Sequence, residues 1–167
     1  MSCLGVHFAI TPDEALRLRS IPDEQGRLDF VVENLEGTYF HQAPEFKAES
    51  DRSWDAMHRA LTDGELSSDG GSYPLNHVVL AGERLYTRSD YIMSLKSPDQ
   101  VRDIAAALAM IDEEEFRRRY SAINPARYDG ELSEEDFGYT WSWFREVRDL
   151  YARAGQSGRY VLFTADQ

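Results

Sequence analysis

Residues 51–62 read Asp-Arg-Ser-Trp-Asp-Ala-Met-His-Arg-Ala-Leu-Thr, and the spacing of their apolar side chains predicts a helix. With about 3.6 residues per turn, positions i, i+3, i+4 and i+7 share one helix face. The residues at these positions are Trp54, Met57, His58 and Leu61. Asp51 and Asp55 lie beside this face on its His58 side. The stretch therefore brings a histidine to the edge where an apolar face meets two carboxylates.

Three further helices have clear start signals. Thr11–Glu14 and Ser97–Gln100 each combine a hydroxyl N-cap, a proline at the first helical position and a Glu or Gln three residues after the cap. Ser133–Asp136 opens the longest predicted helix, which runs to about Ala154 and ends at Gly155. These signals predict a chain rich in capped helices.

Alternation and short apolar runs predict the strands. Cys3–Ile10 alternates with a period of two, His77–Ala81 is a short apolar run typical of a buried strand, and Tyr160–Phe163 closes the chain as a third strand. We therefore expect an α+β fold, a single compact domain over residues 1–167 in which a mixed β-sheet is covered by about five or six helices.

The pattern Asp-x-x-Trp-Asp-x-x-His-x-x-Leu-Thr in residues 51–62 is followed by Pro74-Leu75 and by Leu80-Ala81-Gly82. These motifs resemble the YfbM-like family of small bacterial proteins, a domain of unknown function, and the similarity extends over nearly the whole chain. The resemblance implies a compact α+β domain and no established activity. One departure is local, since the family has Gly directly after Leu-Thr whereas Asp63 precedes Gly64 here.

Acidic side chains dominate the composition. The chain has 18 basic and 30 acidic residues, so its net charge is 18 − 30 = −12. Such a surface repels phosphate backbones and anionic lipids, so we expect neither nucleic-acid nor membrane binding, while a basic protein partner would be attracted. The single cysteine allows no intramolecular disulfide, and we see no signal peptide and no apolar stretch of roughly 18 residues, so we expect a cytoplasmic bacterial protein.

His58 is the first candidate for chemistry. Asp55 precedes it by almost one helical turn, so a hydrogen bond could fix the tautomer of the imidazole and prepare it as a general base. The ordinary interpretation is that His58 packs at the rim of the core and that Asp51 caps the helix. These three residues could also converge on a metal ion, but no His-x-x-x-His or Cys-x-x-Cys accompanies them, so we predict no metal and no cofactor.

The longest predicted helix carries aromatic residues on two sides. One side is formed by Tyr139, Trp143 and Leu150. Protein interfaces concentrate aromatic side chains at their centres, so this side is a candidate interface with another protein or a second copy of the chain. The alternative is an ordinary helix whose two apolar sides both belong to the core.

The familiar signatures of phosphate loops, dinucleotide-binding turns and hydrolase elbows do not occur in the chain. We therefore predict a non-catalytic binding or protein-interaction module. Its predicted binding residues are Asp51, Trp54, Asp55 and His58. The alternative is a small enzyme in which His58 acts as general base and Asp55 orients it, on a substrate that the sequence leaves open.

Overall fold

Five strands form one sheet at the centre of the computed structural model, which describes residues 3–167. The strands are β1 Gly5–Ile10, β2 Lys47–Asp51, β3 Glu83–Arg84, β4 Tyr91–Lys96 and β5 Tyr160–Asp166. Their order across the sheet is β2-β1-β5-β4-β3, and every neighbouring pair is antiparallel. The first and fifth strands are therefore adjacent, so strands that lie far apart in the sequence pair at the centre of the sheet.

Six helices in the described part of the chain cover this sheet. They are α1 Pro12–Ser20, α2, α3 Trp54–Leu61, α4 Pro98–Ala109, α5 Glu113–Ser121 and α6 Glu134–Gln156. Helix α2 has three continuous parts, which are an α-helix over Glu24–Phe30, a π-helix over Val31–Leu35 and an α-helix over Glu36–His41. The capping boxes predicted at Thr11 and Ser97 are both formed.

Both faces of the sheet are buried, because strand residues alternate between two helix layers. Phe8, Ile10 and Leu162 pack against the layer of α1 and α2. Val161 and Phe163 pack on the opposite side against the layer of α3, α4, α5 and α6. No helix within residues 3–167 is both long enough and apolar enough to cross a membrane.

The α+β class and the number of helices are confirmed, but two expectations about the sheet are wrong. The sheet is antiparallel instead of mixed. The predicted strand His77–Ala81 is a short 3₁₀ turn over Leu75–His77 followed by further turns. A short apolar run signals burial equally well for a strand and for a buried turn, so periodicity could not separate them.

The buried turn obtains its hydrogen bonds from side chains instead of a neighbouring strand. The Val78 carbonyl accepts from Tyr151 Oη at 2.7 Å and from His7 Nε2 at 2.7 Å. The Val79 carbonyl accepts from Lys96 Nζ at 2.6 Å and from Ser94 Oγ at 3.1 Å. All four donor residues are buried. This arrangement satisfies carbonyl groups that water does not reach.

The buried imidazole of His7 makes stability depend on pH. Burial, followed by the nearby Lys96, lowers the pKa of His7 from 6.5 to about 3. The unfolded chain therefore binds a proton more readily than the folded chain below pH 6.5. The stability that the neutral ring contributes is complete above pH 6.5 and is lost as the pH falls towards 3.

We expect the free energy of unfolding to fall by about 2 kcal/mol between pH 8 and pH 5 on account of His7 alone. The His7→Gln variant, which keeps an N–H group but does not titrate, should lose this part of the fall. Urea unfolding at several pH values measures it. His41→Gln, at an exposed position at the end of α2, is the control and should keep the full dependence. Equal pH dependence in the His7→Gln protein would contradict the assignment.

Candidate functional site

The acidic cleft is a concave surface of about 770 Å³ between α2 and one end of the sheet. The start of β1, the end of β2, the start of β4 and the end of β5 meet there, as the pairs Gly5–Asp51 and Tyr91–Asp166 show. Trp143 of α6 closes one side. Four strands and two helices therefore contribute to one surface.

Every charged residue of the described chain that lines the acidic cleft is acidic. The six carboxylates belong to Asp29, Glu33, Glu36, Glu49, Asp51 and Asp166. Lys47 Nζ lies 2.9 Å from a carboxylate oxygen of Glu49 and offsets part of this charge from outside the cleft. The surface remains strongly negative, because five further carboxylates face the same space.

Apolar side chains line the cleft between the acidic groups. They are Leu4, Val6, Leu28, Val32, Phe40 and Trp143. Leu4 is 47% exposed and Val32 is 49% exposed, so this surface presents two of the large apolar side chains that the fold leaves open to solvent. A combination of apolar surface and polar groups of one sign is typical of a binding site.

Three backbone irregularities concentrate at the acidic cleft. The π-helical part of α2 contributes Val32 and Glu33. The register of β1 and β2 shifts between Gly5 and Val6. Asp51 has φ = 46°, in the left-handed region that non-glycine residues rarely adopt. π-helical turns, bulges and strained residues are all enriched at functional sites.

Burial and, after it, the neighbouring negative charges raise the pKa values of Glu36 and Tyr91 in the acidic cleft. Burial, followed by the charge of Asp166, raises the pKa of Glu36 above its ordinary value. Burial raises the pKa of Tyr91 to about 12, and the charges of Glu36 and Asp166 add to the effect, while a hydrogen bond with Thr164 opposes it. A positive charge bound in the cleft would relieve this repulsion.

The structure brings together residues that the sequence had assigned to two separate hypotheses. Asp51 and Trp143 both line the acidic cleft. Tyr139 donates a hydrogen bond from Oη to Asp51 Oδ2 at 2.6 Å, and its ring meets that of Trp143 edge to face at 6.5 Å. The predicted binding residue Asp51 and the predicted interface residues Tyr139 and Trp143 are therefore parts of one surface.

The other predicted binding residues lie elsewhere. Asp55 Oδ1 accepts from Arg59 Nε at 2.6 Å. The His58 ring is fully buried, and its Nε2 donates to the Ser67 carbonyl at 2.7 Å. Burial is the largest cause that lowers the pKa of His58. Asp55 and His58 thus have different partners, because the fourth residue after Asp55 is an arginine that reaches its carboxylate more favourably.

The predicted binding residue Trp54 and the predicted interface residue Leu150 are both buried in the structure. Trp54 is 4% exposed and donates from Nε1 to the Cys3 carbonyl at 2.8 Å. Leu150 is fully buried in the core between α6 and its neighbours. Leu150 lies on the same side of α6 about two turns after Trp143, where that side packs into the core, so it does not reach the surface that Tyr139 and Trp143 share.

The acidic residues of α2 are functional candidates that we did not predict. Asp29, Glu33 and Glu36 recur at i, i+4 and i+7. Like charges at this spacing destabilise a helix. The repetition of acidic residues beside the apolar Leu28 and Val32 was therefore the sequence signal from which this acidic surface could have been predicted. Within residues 3–167, no group of three or more His, Cys, Asp and Glu side chains is arranged to hold a metal ion.

The chain belongs to the family described as Domain of unknown function (DUF1877), whose model matches residues 1–164. Its structure is similar to the crystal structure of a protein of unknown function, YfbM from Escherichia coli. The two share 17% sequence identity with a TM-score of 0.67, over 97% of this chain and 99% of that one. This confirms the YfbM-like family and the fold. No curated protein matches the chain.

Replacing Tyr139 by Phe should destabilise the protein where Asp51 lines the acidic cleft. Loss of the hydrogen bond to the strained Asp51 should lower the free energy of unfolding by about 1 kcal/mol, as measured by urea unfolding. Tyr73→Phe is the matched control, since Tyr73 bonds Asp103 at an exposed position and should cost less than about 0.5 kcal/mol. Equal losses would show that the Asp51 contact contributes no more than a surface one.

Proposed function

We propose that this chain is a binding module that takes a basic segment of a partner protein into the acidic cleft. The observation that carries the proposal is the convergence of six carboxylates, with no lining basic residue in the described chain, on one concave surface. Such an arrangement costs free energy in the isolated protein, because like charges repel at short range. A ligand that supplies positive charge would recover that cost on binding.

The mixed lining supports a ligand with both charge and apolar length. Arg and Lys side chains place aliphatic stems on apolar surface while their charged heads reach outward to carboxylates. In the acidic cleft, Leu4, Val32 and Phe40 offer surface for such stems. The volume of about 770 Å³ accommodates a few side chains of a docked segment.

Charge also favours a foreign partner over a second copy of the chain. Each copy has a net charge of −12, so two copies meeting at their acidic clefts would repel each other. Tyr139 and Trp143 extend the surface beside Asp51 with the aromatic residue types that dominate binding at protein interfaces. The His58 alternative has less support, since that ring is fully buried and donates to the Ser67 carbonyl.

A capped Leu-Arg-Leu-Lys peptide should bind the wild-type protein, measured by isothermal titration calorimetry at low salt. The double variant Asp29→Asn with Glu33→Gln should bind it about tenfold more weakly, since each partly exposed charge contributes up to about 1 kcal/mol. Raising the salt concentration should weaken binding to the wild type, because solvent-exposed charges are screened.

The matched control is Glu114→Gln with Glu131→Gln, which removes the same charge at two exposed positions outside the acidic cleft. It should change the affinity less than about twofold. Equal weakening in both double variants would mean that net charge alone attracts the peptide. Equally tight binding of free arginine amide would indicate a small-cation site, and no binding of the peptide to the wild type would overturn the proposal.

A further inference from the structure

A second cleft, the β4 cleft, has a volume of about 740 Å³ and includes Trp54, Leu80, Ile92 and Ser94 among its lining residues. Side chains alternate along β4, so Ile92 and Ser94 point away from the sheet face on which Tyr91 borders the acidic cleft. Ser94 lines the β4 cleft and is 2% exposed. The two clefts have no lining residue in common.

Lys96 lies beside Ser94 on the same face of β4, two residues further along the strand. Its Nζ is 2.5 Å from Ser94 Oγ and 2.6 Å from the Val79 carbonyl, with the Ser94 carbonyl at 3.5 Å. Lys96 is fully buried. The hydrogen-bond partners of Nζ within residues 3–167 are all uncharged oxygens, so the amine is held next to a serine hydroxyl without a neutralising carboxylate.

A buried amine in these surroundings favours its neutral form. Burial lowers the pKa of Lys96 well below its ordinary value. A neutral amine has a lone pair that can accept the proton of a hydroxyl group at hydrogen-bond distance. Serine is a weak nucleophile unless an adjacent base accepts its proton, and a serine–lysine pair is one known arrangement that provides such a base.

We propose that Ser94 and Lys96 form the nucleophile and the general base of an acyl-transfer site that takes uncharged esters or amides in the β4 cleft. This activity goes beyond the proposed binding of a basic segment and uses a different cleft. Trp54, Leu80 and Ile92 give the β4 cleft an apolar part that suits an acyl group without charge, while Asp69 and Arg84 line it as well.

The reaction has two balanced stages. In the resting structure the Ser94 hydroxyl donates to the Val79 carbonyl and accepts from Lys96 Nζ, so its proton first turns to the lone pair of the neutral Nζ. Ser94 Oγ then attacks the carbonyl carbon of the substrate while Nζ accepts the hydroxyl proton, and a carbon–oxygen bond to Ser94 forms. The bond from that carbon to the alcohol or amine then breaks, and the leaving group takes the proton from Nζ. A water molecule repeats the same steps on the acyl-serine, which releases the carboxylic acid and restores the Ser94 hydroxyl.

The first test is covalent labelling of the whole chain with an alkyl fluorophosphonate, followed by intact mass measurement and peptide mapping. One adduct per chain at Ser94 is expected. Ser94→Ala should abolish it, whereas Ser89→Ala, which changes another serine lining the β4 cleft, should retain it. An absent adduct in the wild type, or an adduct that persists in folded Ser94→Ala, would overturn the proposal.

The second test separates a base from a purely structural lysine. In a Lys96→Met variant shown to be folded by its melting curve, the rate of fluorophosphonate labelling should fall about 100-fold, the range expected for loss of general-base assistance. An unchanged labelling rate would exclude Lys96 as the base. If that variant does not fold, hydrolysis of p-nitrophenyl butyrate is measured instead. The wild type should release a burst of one p-nitrophenolate per chain, and Ser94→Ala should release none.

Discussion

The carbonyl groups of Val78 and Val79 depend on side chains for their hydrogen bonds, and much of the structure is arranged to supply them. The segment that carries them lies buried between the sheet and the helices, where neither a neighbouring strand nor water provides donors. His7, Ser94, Lys96 and Tyr151 reach them from three separate elements. Each carbonyl has two donors, so removing one leaves a single partner, and removing both would leave a buried carbonyl that bears the full cost of desolvation.

This constraint explains why polar residues interrupt the sheet face that packs on α6. Apolar side chains at Ser94 and Lys96 would pack well but would leave the Val79 carbonyl without a partner, and one at His7 would leave the Val78 carbonyl with Tyr151 alone. Burial of these polar groups disfavours their charged forms. The pKa values of His7 and Lys96 are both lowered, chiefly for this reason. Burial that disfavours the charged form of an amine also makes its lone pair more available to accept a proton, so stability and the proposed chemistry have the same origin at Ser94 and Lys96.

The acidic cleft follows a different physical rule. Its carboxylates lie partly or fully open to solvent, and like charges on them repel one another. The π-helical part of α2 and the left-handed Asp51 are further local departures from the most stable geometry. Departures of this kind, concentrated on one surface that the core does not require, favour a role in binding.

The sequence by itself determined the helices, the acidic charge and the family. Capping boxes at Thr11 and Ser97 and the apolar stripe of α3 depend on residues within one or two turns, so local spacing was sufficient. Three features were decided only by the tertiary structure. Residues 77–81 form a buried turn whose carbonyls are bonded by side chains, and Asp51 accepts a hydrogen bond from Tyr139. Asp55 pairs with Arg59 instead of His58. His7 and Val78 are 71 positions apart, and Asp51 and Tyr139 are 88 apart. Contacts across such separations depend on how the strands and helices pack, which periodicity along the chain does not encode.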